Sequence, residues 1–175
     1  MLRNGFTLLE FLLSASLATI LLTLGLPSLA SLITSTEGNL YTRNLLDHLI
    51  FAQRQAIMHQ QTLTACLAKP VNNATTESCV PANQAGARRM LVFIDTNQDR
   101  VLDISNGDRL LSATEDFSAK HTVTANRQFV RFKPDGTAIG TNMTVRFCID
   151  QRSRIDIIIS PSGRSRSEKK GLGCS

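Results

Sequence analysis

The sequence predicts an α+β protein in which one long N-terminal α-helix leads into, and packs on, a globular domain of antiparallel β-sheets. Three observations carry that expectation. Phe11 to Thr36 is a run of 26 residues without a charge, more than the ~20 apolar residues that a membrane-spanning helix needs. Apolar residues then recur at three- and four-residue steps as far as Gln61, the pattern of a helix with one packed face. From Thr62 onward, short apolar or alternating segments are separated by turn residues, which is how strands read. The 175 residues suffice for one domain with its own core and disfavour a second full one.

The helix divides into two parts. Residues 6–33 form the part that would cross a membrane. They do not read as a cleaved secretory signal, whose apolar region is about 7–15 residues long and ends at a small-residue cleavage site. Glu10 stands at the edge of the apolar run. A carboxylate inside a membrane costs at least ~2.5–3.5 kcal/mol, so Glu10 calls for a cationic partner. Gly25 and Pro27 weaken the backbone ladder, which neighbouring helices can make tolerable. In the second part, 34–61, Leu46, Leu49, Ile50, Gln53, Ala56 and Ile57 make the packed face, with Arg43, Asp47 and Arg54 pointing elsewhere.

The N-terminus carries a specific motif. Residues Gly5-Phe6-Thr7-Leu8-Leu9-Glu10, preceded by a short leader and followed by the apolar run, resemble the class III signal of type IV pilins and type II secretion pseudopilins. The resemblance implies that residues 1–5 are a leader removed by a prepilin peptidase between Gly5 and Phe6, with N-methylation of Phe6. It also supplies the cation: the N-terminal amine of a neighbouring subunit in a filament would pair with Glu10, since two charges in an apolar bundle offset their desolvation only by meeting. Pro27 sits where pilins commonly carry a kink proline. The chain would be a single-pass inner-membrane protein with a periplasmic C-terminal domain, moving to a surface pilus on assembly, and its partners would be other pilins.

Residues 62–175 read as the globular domain. Expected strands are Thr62–Ala68, Met90–Ile94, Arg109–Ser112, His121–Ala125, Gln128–Lys133, Thr144–Ile149 and Arg154–Ser160. Val145, Phe147 and Ile149 alternate with Thr144, Arg146 and Cys148, and Pro134-Asp135-Gly136 is a turn upstream of them. Cys66, Cys79, Cys148 and Cys174 lie outside the membrane segment without the close pairs of a zinc or redox motif. In an oxidising periplasm they read as disulfides. Of the three possible pairings, loop-closure entropy favours the shortest loops, Cys66–Cys79 and Cys148–Cys174.

Chemistry-bearing patterns are few. Asp95, Asn97, Asp99 and Asp103 have the spacing of the first part of a calcium loop. The second part is absent: Arg100 stands where glycine belongs and Asn106 where a bidentate glutamate belongs. The reading favoured here is an acidic turn, with no metal and no cofactor. His48, His59 and His121 belong to no nucleophile or metal motif, and no enzyme activity is expected.

Charge is the informative feature at the other end. Residues 1–126 hold 9 basic and 10 acidic side chains, whereas 127–175 hold 10 basic and 4 acidic, so the net +5 comes from the last third. Residues 161–173 read as an exposed basic loop containing Gly163, Arg164, Arg166, Lys169 and Lys170. In an extended segment Arg164 and Arg166 point to one side, about 7 Å apart, and their planar guanidiniums suit phosphate oxygens. Arg146, Arg152 and Arg154 on or beside nearby strands would extend the patch, with Asp156 placed to neutralise one of them. Gly163-Arg164-Ser165-Arg166 fits the Gly-Arg-x-Arg motif of FimT-like members of the FimT/GspH family, which the chain resembles along its whole length. That resemblance implies nonspecific binding of extracellular DNA through its phosphate backbone for uptake in natural transformation. The alternative, from the GspH side of the same family, is a structural pseudopilin that primes a pilus or type II secretion filament without binding DNA.

Overall fold

The structure is a computed structural model describing residues 7–71, 73–140, 142–149, 153–171, 173 and 174, without the side chains of 25–28, 30, 31, 34 and 73–75. The leader, Gly5, Phe6 and Arg152 lie outside the described residues, as does the side chain of Pro27. The chain divides between Glu37 and Gly38 into two units.

The first unit is helical. Helix α1 runs Leu8–His59 and so continues into the second unit. Its start is a reciprocal capping box: the Glu10 amide donates to Thr7 Oγ1 at 3.3 Å and the Thr7 amide to a Glu10 carboxylate oxygen at 3.5 Å. Leu8, Leu9, Phe11, Leu12, Leu13 and Leu17 are all exposed. The hydroxyls among them are turned back on the helix: Ser14 donates to the Phe11 carbonyl, Ser16 to Leu13, Thr19 to Ala15 and Thr23 to Ile20. A hydroxyl satisfied this way presents little polarity to apolar surroundings. Among the described residues no helix is long and apolar enough to cross a membrane.

The second unit holds the core. Leu45, Leu49, Ala52 and Ala56, at four- and three-residue steps of α1, are fully buried. The expected stripe is therefore rotated: Leu49 and Ala56 belong to it, whereas Leu46, Ile50 and Gln53 are half-buried at its flank and Ile57 is exposed. The small side chains of Ala52 and Ala56 let the helix approach the sheets closely at the centre of the stripe, with larger residues closing its sides.

Among the described residues ten strands follow: β1 Leu63–Val71, β2 Asn73–Cys79, β3 Arg89–Ile94, β4 Val101–Leu102, β5 Arg109–Ala113, β6 His121–Ala125, β7 Val130–Phe132, β8 Met143–Ile149, β9 Ser153–Ile159 and β10 Ser165–Gly171. One sheet has the order β4-β2-β1-β3-β5, with β7 also pairing β1, and the other the order β10-β9-β8-β6. All pairings are antiparallel. The main core gathers the α1 stripe with Leu63, Ala65 and Leu67 of β1, Phe132 of β7, Val145 and Phe147 of β8, and Ile155, Ile157 and Ile159 of β9. β1 is buried on both faces, its other side meeting Cys79, Leu91, Phe93 and Leu102. A disulfide joins Cys66 to Cys79 within that smaller cluster, and a second joins Cys148 to Cys174.

All seven expected strands are present, with ends shifted by at most three residues. β2, β4 and β10 are additional. Their sequences lack apolar alternation, and they form because a neighbour offers an open ladder: β2 pairs β1, and β10 pairs β9 from Ser165↔Ile159 to Gly171↔Arg154. The expected loop at 161–173 is corrected accordingly to a tight turn followed by a charged edge strand, a common way to protect a sheet edge from further pairing.

Candidate nucleic-acid interface

The turn between β9 and β10 is built from its own small residues. The Gly163 amide donates to the Ser160 carbonyl at 2.9 Å, and the Ser160 amide and hydroxyl donate to the Arg164 carbonyl at 3.0 and 3.1 Å. Gly163 has φ 81 and is buried. The turn also docks elsewhere: the Ala138 amide donates to the Pro161 carbonyl at 2.9 Å, and Gln53 Nε2 of α1 donates to the Gly136 carbonyl at 2.8 Å, beside Gly163. Gly163 is thus a packing residue inside the turn, which corrects its expected place in the contact surface.

Arg164 emerges from this docked turn exposed, with no ion pair among the described residues. The Ser160–Arg164 bonds extend the ladder one pair beyond Ser165↔Ile159. The half-buried Ser165, with its hydroxyl oxygen buried, marks the inward side, so Arg164 and Arg166 share the outward side as their spacing predicts. Arg166 donates to Glu168 at 3.0 Å and Lys170 contacts Glu168 at 2.9 Å. Hydrogen bonds from Lys170 and Arg166 hold the Glu168 carboxyl below the usual glutamate range. Lys169 is exposed and faces the other side of the strand.

The register carries the charge across the sheet. Arg146 of β8 stands opposite Asp156 of β9, which stands opposite Glu168 of β10. Arg154 grips Asp156 with two bonds, Nε to Oδ1 at 2.7 Å and a terminal nitrogen to Oδ2 at 2.6 Å. The Asp156 hydrogen bond raises the Arg154 pKa against the opposing effect of burial. Because Asp156 is buried, it needs that partner. Arg154 is therefore committed to a structural pair, and the expected extension of the patch reduces to Arg146, which is exposed and unpaired among the described residues. The outer surface from Arg146 to Lys170 remains basic, with Arg146, Arg164, Arg166 and Lys170 set against Glu168 among the described residues, once Asp156 is matched by Arg154.

The other candidate residues lie apart from this face. Asp95, Asn97, Asp99 and Asp103 belong to the segment joining β3 to β5, on the other sheet. Asp103 caps the short 3-10 helix Ile104–Asn106, its Oδ1 accepting from the Ser105 amide at 2.9 Å. Among the histidines, His121 is buried against the rings of Tyr41 and Phe147, and burial lowers the pKa of His48. Sequence reasoning missed Gln53 as the support of the basic turn. The two glycines that converge on it, Gly136 and Gly163, were the available signal, both sitting at turn positions.

A long helix entering a domain of two antiparallel sheets, with disulfides and a charged edge strand, is the architecture of a type IV pilin-like filament subunit. The sequence matches the family described as type II transport protein GspH over residues 41–163. The chain belongs to that family of minor pilins and pseudopilins. Its fold is similar to two crystal structures of the type IV minor pilin FimU of Pseudomonas aeruginosa (strain PAO1). One gives a TM-score of 0.53 at 16% identity, covering 76% of this chain and 91% of that one. The other gives 0.51 at 13%, covering 77% and 91%. Comparison with curated proteins gives no sequence match. Family and fold are those of structural filament proteins.

Proposed function

We propose that this protein is a FimT-like minor type IV pilin that binds extracellular DNA for uptake in natural transformation. The observation that carries the reading is the pair Arg164 and Arg166, exposed on the outward side of a turn docked against α1 and the 134–136 turn. Arg146 and Lys170 add to the positive surface, and guanidiniums at this spacing suit successive phosphates. The contacts read charge and carry no base preference. Single-pass insertion in the inner membrane by residues 6–33, leader removal between Gly5 and Phe6, methylation of Phe6 and pairing of Glu10 with a neighbour's N-terminal amine complete the reading.

Residues 34–175 contain the whole core and both disulfides, so they suffice for the test. In a mobility-shift assay this fragment binds unrelated DNA sequences alike. With about four phosphates neutralised, the log–log salt slope is about −3.6. Changing Arg164 and Arg166 together to Gln nearly abolishes binding with an unchanged melting temperature. The match to the GspH family favours one alternative, a structural pseudopilin that primes a pilus or secretion filament without binding DNA. Binding that is absent in the wild type, or unchanged in the double variant, selects that alternative.

A further inference from the structure

The Asp-rich motif at 95–103 has no part in the proposed DNA binding, and the structure rearranges it. Asp95, Asp99 and Asp108 each offer a carboxylate oxygen, and these oxygens lie within 4.8 Å of one another. Three oxygens at the corners of a triangle with 4.8 Å sides lie about 2.8 Å from its centre, so a small closing movement brings them to the 2.3–2.6 Å at which calcium binds oxygen. Acidic turns gather carboxylates without binding anything, but one feature here is independent of the gathering. The Asp95 side chain is 1% exposed. Its Oδ1 is buried with no hydrogen-bond partner among the described residues. Its Oδ2 is engaged, accepting from the Arg100 amide at 3.2 Å and from Arg131 at 3.3 Å. The contacts to Oδ2 offset only part of the cost of burying this carboxylate, and a cation would supply the partner that Oδ1 lacks.

The surrounding groups aim the other carboxylates. Asp108 is buried, and each of its oxygens accepts one backbone amide, Thr96 at 2.9 Å and Asp103 at 3.0 Å, leaving further lone pairs free. Asp99 is exposed, its Oδ2 accepting from Asn97 Nδ2 and its Oδ1 from the Val101 amide, both at 2.8 Å, with one bond on each oxygen and lone pairs left over. Asp103, the carboxylate that the sequence spacing selects, is occupied by Ser105 and Asn106. Three carboxylates beside the Arg131 cation leave a net charge of two negatives, the complement of a divalent ion. All donors are hard oxygens, which suits calcium or magnesium and not zinc. Magnesium demands near-ideal octahedral geometry at about 2.0–2.1 Å, whereas calcium accepts a wider, irregular shell.

We propose that Asp95, Asp99 and Asp108 bind one calcium ion, with Asp99 as the solvent-side ligand and water completing the shell. The ion clips the exit of β3 to the entry of β5, so binding raises the stability of that sheet edge.

The test is thermal unfolding of the 34–175 fragment against calcium chloride, with magnesium chloride and a chelator as controls. A site of this kind has a Kd of about 10⁻⁴–10⁻³ M. At tenfold excess over Kd, calcium raises the melting temperature by about 3 °C, and the chelator reverses it. Asp99→Asn loses the shift while keeping its calcium-free melting temperature, and Asp103→Asn keeps the shift. No shift and no binding heat at about 10 mM calcium, ten times the weak end of that range, overturns the proposal. A shift that survives Asp99→Asn, is lost in Asp103→Asn or is matched by magnesium overturns it as well.

Discussion

Gly163 and Gly136 meet so closely that a Cβ built on Gly163 falls on the Gly136 carbonyl oxygen, the atom that also accepts from Gln53 Nε2 at 2.8 Å. The glycine of the Gly-Arg-x-Arg motif is therefore the point at which the β9–β10 turn touches the rest of the domain. Its contribution to the proposed surface is to fix where Arg164 emerges. A flexible loop would lose conformational freedom on meeting DNA, whereas a docked turn is already ordered.

Gly163→Ala is expected to destabilise the domain. The left-handed backbone alone costs an alanine about 1–2 kcal/mol, and the collision with a backbone carbonyl, which cannot swing away, adds to it. Gly171 also has positive φ, but a Cβ there meets nothing within 4 Å, so Gly171→Ala bears the backbone cost alone. Urea unfolding of the two variants should place Gly163→Ala clearly below Gly171→Ala. Equal losses would show that the turn does not rest on Gly136.

Glu168 draws charge away from the proposed DNA surface by holding Arg166 and Lys170. Glu168→Gln removes a negative charge that repels a phosphate bound at Arg164 and Arg166 through water. DNA affinity should rise about threefold at low salt, and the gain should shrink as salt is added. A fall in affinity would mean instead that Glu168 serves to order Arg166 for contact.

How much of this was legible in the sequence depends on whether a residue's role is set by its neighbours in the chain or by the fold. The long helix and the seven apolar strands follow from periodicity, and the cysteine pairing from loop length, all of which are local. β10 was invisible because Ser165-Arg166-Ser167-Glu168-Lys169-Lys170 has no apolar face, and its strand form depends on the free edge of β9. That Asp156 would neutralise one nearby arginine was legible, but that it takes Arg154, two residues before it, needed the strand geometry. Asp108 was passed over because a turn and a 3-10 helix separate it from Asp95, and only the folded segment brings the two together. Function shows the same divide, since the basic patch was legible from charge alone while its mounting on Gln53 was not.

The disulfide between Cys148 and Cys174 ties the chain after β10 back to β8 across 26 residues of sequence. The chain-entropy relation gives about 3.5 kcal/mol for a loop of that length and about 2.9 kcal/mol for the 13-residue Cys66–Cys79 loop. The two should differ further in kind. Cys66 and Cys79 are buried in the smaller core cluster, so Cys66→Ala with Cys79→Ala also leaves a void there. Removing the Cys148–Cys174 bond with Ser at both positions should cost about its entropic value and leave DNA binding intact, because β9 still pairs β10. Denaturant unfolding checks the order of the two losses, and the mobility shift checks the second expectation.

His48 gives the domain a pH dependence with a definite sign. It lies on α1 in the second unit, half-buried, with its Nε2 buried and without a hydrogen-bond partner among the described residues. Burial lowers its pKa below 6.5 while Asp47 opposes the shift. The folded protein therefore holds His48 neutral in a range where the unfolded chain already takes up the proton. With more protons bound in the unfolded state, stability rises with pH through that window. The contribution is full above about 6.5 and is lost as pH falls toward the lowered folded value. Melting temperatures measured from pH 7.5 down to 5.5 should fall for the wild type and fall less for His48→Gln. Parallel slopes for wild type and His48→Gln would remove His48 as the source.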